Sequence, residues 1–273
     1  QETIAERSAR HREAVNAVGF AWGRPQALVG PVLVVPYVEE RRDADGRAVA
    51  VRQRLWLFPE RLEIAARLEP EIRHRGLFEA VVYRARATVR AEFAVPDLAA
   101  LVGGRGRVDP AEAFLAVGLD DPRSVDPGFV LQVDGAPVSV APDRVPQAGG
   151  LAWLRAPLPR RSALAGTRLP VAFAIGFNGS ERLAFAPVGK VTDATLEGDW
   201  GDPSFSGAFL PVEREIAADG FRARWAVGWF GRGYGETWDG GEQGDPGATL
   251  AASLFGTTLL QPVSPYRRVE RAA

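Results

Sequence analysis

The sequence predicts an all-β protein of antiparallel, sandwich-like sheets behind a short N-terminal helix, and two observations support this class. Several segments alternate apolar and polar residues with a period of two, as strands do when they bury one face and expose the other. Glycine and proline contribute 30 and 21 of the 273 residues, so the chain turns often. Helical periodicity is confined to short stretches.

The composition excludes several classes of protein. Hydrophobic residues make up 46% of the chain and charged residues 25%, which is typical of a globular domain and not of a disordered chain. The net charge of -1 disfavours a nucleic-acid partner. The chain contains no cysteine, which excludes disulfides, iron–sulfur clusters and cysteine-based zinc sites. It also contains no methionine and begins at Gln1, so we expect that a preceding segment is removed.

Residues 1–19 are predicted to form the N-terminal helix, which Gly19 would end. Its weak apolar stripe at helical spacing consists of Ile4, Ser8, His11, Val15 and Val18. The remaining positions are mostly charged, so the helix is expected at the edge of the domain or leading in from a membrane segment. Further helical signal is limited to residues 97–102 and 109–112, each of which begins with an aspartate.

The strongest strand signal covers residues 81–93. Its apolar positions are Val81, Tyr83, Ala85, Ala87, Val89, Ala91 and Phe93. Three further stripes lie at 62–68, 171–177 and 221–229, the last ending in Trp229. Asp45-Gly46 and Asp134-Gly135 separate apolar runs and predict hairpin turns. Residues 203–207 are predicted to form a bulged turn between strands.

The two halves of the chain share an ordered set of short matches. Arg54-Leu55 followed by Pro59 recurs as Arg182-Leu183 followed by Pro187, at a spacing of 128 residues. This order favours an internal duplication, with chance as the alternative. We therefore predict a first β-unit over 20–126 and a second over 127–266, with a short tail over 267–273.

Two segments are candidate binding surfaces. A glycine-rich stretch between residues 228 and 247 contains Trp229, Tyr234 and Trp238, aromatic side chains of the kind that stack on sugars, enter a membrane interface or form protein hot spots. The alternative is that Trp229 continues its stripe into the core and the other two cover the base of the loop. The polar face of the 81–93 strand carries Arg84, Arg86 and Arg90, whose simpler interpretation is a solvated face.

Signals for catalysis and for metal binding are weak. The only two histidines are His11 and His74, and arginines flank His74 on both sides, which opposes cation binding. The acidic residues of the glycine-rich stretch, Asp239, Glu242 and Asp245, lack the spacing of a calcium loop. No Gly-x-Ser-x-Gly motif is present. We therefore predict no catalytic residue, no metal and no cofactor, although the 34 acidic residues leave a glycosidase-like carboxylate pair open.

An ordered set of short motifs resembles the inner-membrane protein CreD family. The set includes Ala21-Trp22-Gly23, Gly30-Pro31, Arg75-Gly76-Leu77-Phe78-Glu79, Phe209-Leu210-Pro211, Gly220-Phe221, Phe255-Gly256 and Pro262-Val263. No single motif is diagnostic, and the order along nearly the whole chain carries the resemblance. It implies one transmembrane helix before this region and several after it. Residues 1–19 and 267–273 would then lie next to the inner membrane, with the domain on its periplasmic side.

The resemblance also implies a broad role, in envelope integrity and stress response under a two-component regulon, and no established catalytic activity. Our first hypothesis is therefore a non-enzymatic domain that binds a partner, either an envelope protein or envelope material. The second is a carbohydrate-binding or carbohydrate-active sandwich that acts on envelope glycans. The third is a structural ectodomain that only positions the membrane helices.

Overall fold

The computed structural model describes residues 13, 17–76, 78–143, 150–158 and 164–260. Most of the predicted N-terminal helix, including its stripe from Ile4 to Val15, and the whole predicted tail over 267–273 lie outside these residues. Within them, helix α1 covers 17–22. The other helices are α2 (Leu98–Val102), α3 (Trp229–Arg232), α4 (Gly240–Gln243) and α5 (Gly247–Ala252), with two 3-10 turns at Pro110–Glu112 and Pro122–Ser124.

Eighteen strands are present in the described part of the chain. In chain order they are β1 (Gln26–Arg42), β2 (Ala48–Leu57), β3 (Arg61–Arg75), β4 (Phe78–Ala94), β5 (Gly106–Val108), β6 (Phe114–Leu119), β7 (Val130–Val133), β8 (Ala136–Ser139), β9 (Ala141–Pro142), β10 (Ala152–Pro157), β11 (Arg168–Ser180), β12 (Arg182–Phe185), β13 (Val191–Gly198), β14 (Pro203–Gly207), β15 (Glu213–Ile216), β16 (Phe221–Gly228), β17 (Thr237–Asp239) and β18 (Phe255–Leu259).

These strands form two sheets, which confirms the predicted all-β, sandwich-like class. Sheet A has the order β14-β18-β12-β1-β6-β10-β9, with β2 and β5 also paired to β1 and β17 paired to β2. Sheet B has the order β15-β16-β13-β3-β4-β11-β7-β8. Antiparallel pairs dominate both sheets, and β1 with β12 and β3 with β13 are parallel.

The period-two pattern of sheet B is confirmed strand by strand. Along β4, every apolar residue from Val81 to Phe93 is buried, and Arg84, Arg86 and Arg90 are exposed. The predicted stripes of β3 and β11 are buried in the same alternating way. One face of sheet B is therefore apolar and covered, and the other is charged and faces water.

The covered face of sheet B packs on sheet A through an aromatic cluster. Trp225 of β16 is fully buried, and its ring centroid lies 5.5 Å from that of Phe255 in β18 and 5.7 Å from that of Phe205 in β14. Its indole N–H donates to the carbonyl of Phe209 at 3.2 Å. The burial of these large rings contributes strongly to sandwich stability.

Each sheet takes strands from both predicted units. Strand β1 pairs with β12, and β3 pairs with β13 in register from Arg61 opposite Val191 to Leu68 opposite Gly198. One cluster of buried residues runs through both sheets. The first 12 residues of β1 are buried on both faces, unlike those of the central strands of sheet B. The duplication itself stays a prediction.

Two of the local predictions for turns and helix ends are confirmed, and one is wrong. Asp134 and Gly135 both adopt positive φ at the tip of the β7–β8 hairpin, as a two-residue turn with this sequence should. Helix α2 begins after Asp97, whose side chain accepts from two backbone N–H groups, and ends at Gly103. The bulged turn predicted at 203–207 is wrong. These residues form strand β14, because β18 offers them a complete ladder of partners.

The long strands give the domain two ends. At the chain-end pole, Ser180 N–H donates to the carbonyl of Arg24 just after α1, at 3.3 Å, and Leu259 N–H donates to the carbonyl of Glu181 at 2.7 Å. The far pole lies where β3 and β13 begin and β16 ends. Because Ser180 is opposite Val82, and Val82 is opposite Glu71 of β3, the poles are separated by the stretch from Arg61 to Glu71, about 33 Å at a rise of about 3.3 Å per residue. Among the described residues, no helix is long and apolar enough to cross a membrane.

We predict that Gly256→Ala destabilises the sandwich. Gly256 lies in β18 opposite Ala184, and a Cβ atom at this position would lie 2.1 Å from the carbonyl oxygen of Leu183. Because that oxygen belongs to a central strand, the backbone must shift, and the free energy of unfolding should fall by about 1–3 kcal/mol. Urea unfolding measures the loss. Gly228→Ala is the control, since no atom lies within 4 Å of its Cβ position; equal stabilities of the two variants would contradict the prediction.

Candidate functional site

The glycine-rich stretch expected as a loop is largely ordered into short elements. It contains α3, β17, α4 and the start of α5. Strand β17 pairs with β2, with Trp238 opposite Trp56. This pairing fixes the stretch against sheet A, so its aromatic side chains have defined positions.

Trp229 does not continue the buried stripe of β16, which was the alternative to a surface role. The stripe ends at Val227, since the chain turns at Gly228 into α3. Trp229 is 43% exposed and Phe230 is 99% exposed. Their rings stack with centroids 6.0 Å apart and an interplanar angle of 24°, and the ammonium of Lys190 lies 4.8 Å from the Trp229 ring centroid.

Other exposed apolar side chains lie beside this pair. Val191 is opposite Gly228 in the β13–β16 ladder and is 50% exposed. Leu210 is 70% exposed and follows Phe209, whose ring lies 3.3 Å from the Cβ position of Gly231 in α3. We call Val191, Leu210, Trp229 and Phe230 the far-pole patch. Exposed apolar patches of this kind mark interaction sites on soluble domains.

The structure does not bring Tyr234 and Trp238 to this patch. Tyr234 is buried, donates its hydroxyl hydrogen bond to the carbonyl of Pro187 at 3.1 Å, and packs on Phe58 with centroids 5.2 Å apart. Burial raises the pKa of Tyr234 to about 12. Trp238 is half-buried and donates its indole hydrogen bond to the carbonyl of Gly244 at 2.9 Å. Both aromatic side chains therefore cover the base of the segment.

A buried arginine that the sequence analysis did not single out holds the segment under the patch. Arg232 is 4% exposed, and its guanidinium donates to the carbonyls of Val188 at 2.6 Å, Gly235 at 2.7 Å and Tyr234 at 3.0 Å. Burial lowers its pKa. Three carbonyl acceptors from two chain segments match the planar fork of an arginine, which a lysine could not replace. An arginine between glycines gives no local sign of this role.

A second polar network fixes the other end of the segment. Asp239 accepts from the hydroxyl of Tyr37 at 2.6 Å, from Arg105 at 2.8 Å and from the backbone N–H of Gly241 at 2.9 Å. Burial alone would raise the pKa of Asp239, but these hydrogen bonds outweigh it, and the pKa is lowered. Burial raises the pKa of Tyr37, which therefore stays a neutral donor.

This network also occupies the carboxylates that were weighed as calcium ligands. Arg105 binds Glu242 at 2.7 Å as well as Asp239, and Asp245 accepts from the backbone N–H of Gly247 at 2.7 Å. In the part of the chain that the structure describes, no group of three or more His, Asp or Glu side chains is placed to hold a metal ion. His74 lies 3.3 Å from Glu79, and His11 is outside the described residues.

The arginine face lies on the open side of sheet B. Arg86 is opposite Arg67 of β3, and Arg90 is opposite Glu63. A shallow groove of about 320 Å³ crosses this face beside Arg90, with Ala65 and Thr88 among its small lining residues. Arg84 instead belongs to the chain-end pole, where its guanidinium lies 5.5 Å from the ring centroid of Trp22. Arg84 therefore lies apart from the far-pole patch, whereas Arg90 lines the same groove as Val191 of that patch.

We predict that Asp239→Asn removes a pH-dependent part of the stability. The pKa of Asp239 is lower in the folded state than the value of about 3.9 expected for an unfolded chain. Its contribution is therefore complete above that value and is lost as the pH falls through the folded pKa. At pH 7 the variant should lose about 2 kcal/mol, since hydrogen bonds to a charged group are broken.

Urea unfolding at pH 7 and at pH 3 measures both effects. The wild type should lose stability between these values by more than the Asp239→Asn variant does. Asp45→Asn is the control, because this side chain is 75% exposed in a turn. An Asp239→Asn variant with the same stability and pH dependence as the control would contradict the prediction.

Comparisons with known proteins identify relatives over the whole chain. The family model described as inner membrane protein CreD matches residues 1–273. The inner membrane protein CreD of Escherichia coli (strain K12) is 27% identical over 276 residues, which cover 100% of this chain and 60% of that protein. The chain thus spans less than two thirds of the length of this relative.

Among solved structures, a two-domain M1 zinc metallopeptidase mutant bound to L-arginine is similar over 62% of this chain and 39% of its own. The identity is 10% and the TM-score 0.27, which is too low to support any statement about fold or function. The match of the family model over the full sequence is sufficient by itself: the chain belongs to the family of inner membrane protein CreD.

Proposed function

We propose that this chain is the periplasmic domain of its inner-membrane protein and that it acts by binding an envelope partner, without catalysis of its own. The partner is an envelope protein with an apolar surface, and the far-pole patch contacts it. This binding would serve envelope integrity and the response to envelope stress. The transmembrane helices of the protein would lie outside this chain, on both sides of it.

The observation that carries this proposal is the exposure of Phe230. The Phe230 ring is 99% exposed, so it contributes almost no buried area to the stability of the fold. Hydrogen bonds of Arg232 and Asp239 fix the position of the segment that carries it. Preorganised aromatic side chains of this type are common anchors in protein interfaces. The patch therefore has the rigidity and the chemistry of a binding surface.

The charges around the patch favour an apolar partner over a strongly charged one. Lys190 lies against the Trp229 ring, and its ammonium is already paired with Glu236 at 2.6 Å and with Glu60 at 3.5 Å. Arg61, which is opposite Val191, lies 3.9 Å from Glu63. The position of the patch also supports contact with a partner outside the bilayer. It lies about 33 Å, the length of β3 from Arg61 to Glu71, from the pole where the two ends of the described domain meet. A domain anchored at the chain-end pole would present the patch away from the bilayer.

We predict that a photo-crosslinking amino acid at position 230 in the full-length protein captures a discrete protein when intact cells are irradiated. The same residue at Asp45 is the control, since that side chain is also exposed but lies at the β1–β2 turn. Adducts only to glycan would favour the carbohydrate-binding alternative. No adduct from a folded, complementing protein would favour the structural ectodomain.

We further predict that Phe230→Ser abolishes complementation of a deletion strain at unchanged melting temperature. Substitution of a fully exposed side chain changes stability by only about 0.5 kcal/mol or less, so a loss of function would report on binding. Arg86→Glu with Arg90→Glu tests the arginine face, which remains the second candidate surface. Loss of complementation in this double variant, but not in Phe230→Ser, would identify the arginine face of sheet B as the binding surface instead.

A further inference from the structure

The chain-end pole carries a second group of aromatic side chains, and arginines surround it. Trp22 of α1 donates its indole hydrogen bond to the carbonyl of Tyr83 at 3.2 Å, and the guanidinium of Arg73 lies 3.5 Å from its ring centroid. Phe20 is 58% exposed. The guanidiniums of Arg123 and Arg24 lie 4.8 and 5.3 Å from its ring centroid.

The β3–β4 ribbon projects at the same pole. The ladder of β11 with β4 ends at Val82, and the ladder of β13 with β3 ends at Leu68, whereas β3 and β4 stay paired as far as Arg75 and Phe78. The ribbon thus extends beyond both neighbouring strands. Ile72 lies on this extension and is 39% exposed. It is a second exposed apolar side chain at this pole, in addition to Phe20.

Two of the four arginines at this pole are paired with carboxylates. Arg73 is paired with Glu71, and Arg123 is paired with Asp121 at 2.7 Å. Arg24 and Arg84 form no salt bridge with the carboxylates of the described residues. A surface with exposed apolar side chains, a tryptophan and flanking arginines fits the interfacial layer of a bilayer, where indoles lie at the headgroups and guanidiniums reach phosphate.

We propose that the chain-end pole docks onto a phospholipid bilayer, with Phe20 and Ile72 entering the interface. Trp22 and the arginines would then lie at the depth of the headgroups, where indoles are favoured and guanidiniums pair with phosphate. Both ends of the described domain leave from this pole. In a protein of an inner-membrane family, a bilayer would lie within reach of this pole. This proposal requires no partner at the far pole.

The absence of cysteine from the chain allows a direct test. A Phe20→Cys variant of this 273-residue chain is labelled with an environment-sensitive fluorophore and mixed with vesicles of phosphatidylethanolamine and phosphatidylglycerol. We expect a blue shift and quenching by nitroxide-labelled lipid. A Phe230→Cys variant, labelled in the same way at the far pole, should show neither. Quenching at position 230 alone, or at neither position, would overturn the proposal.

A second measurement separates docking from disturbance by the label. Phe20→Ser with Ile72→Ser should weaken partitioning onto the same vesicles about tenfold, as expected when two partly inserted side chains are lost. Phe230→Ser is the matched control and should partition like the wild type. Circular dichroism confirms that each variant is folded. Equal partitioning of the double variant and the wild type would overturn the proposal, whatever the outcome of crosslinking at the far pole.

Discussion

The fold depends on the burial of a single apolar face of sheet B against sheet A. The long strands of sheet B bury every second residue on that face, so their other face stays charged and exposed to water. The aromatic rings of Trp225, Phe205 and Phe255 fill the contact between the sheets. Because this core takes strands from both halves of the chain, neither half has a complete sandwich of its own among the described strands.

The sequence was sufficient for several local features. The alternation from Val81 to Phe93 and the cap at Asp97 depend on neighbours along the chain, and both predictions are confirmed. Strand order could not be predicted from the sequence, because the parallel pairing of β3 with β13 joins residues that are 130 positions apart, such as Arg61 and Val191. The same limit explains the wrong turn at β14, whose partner strand β18 lies far along the chain.

The sequence predicted which segment carries the candidate site, but not which of its side chains form the exposed surface. Composition identified the glycine-rich aromatic stretch, and it could not decide which rings are covered. For Tyr234 that decision depends on a distant group, the carbonyl of Pro187, which accepts its hydrogen bond. For Trp229 it depends on the turn at the adjacent Gly228, which periodicity alone did not predict. The polar supports, Arg232 and Asp239, likewise bind partners from other elements. A single arginine or aspartate carries no sign of such partners in the sequence.

The two surfaces lie at opposite ends of the same strands, and this arrangement constrains how they can be coupled. Strands β3 and β4 are paired without a break from Arg61 opposite Glu92 to Arg75 opposite Phe78, and continuous ladders of this kind resist bending within the sheet. A partner at the far pole would therefore act on the chain-end pole by tilting the whole domain and not by a local rearrangement. We expect such a tilt to change how deeply Phe20 and Ile72 enter the interface. Partner binding and contact with the bilayer would then be coupled through the rigid core alone, without a hinge.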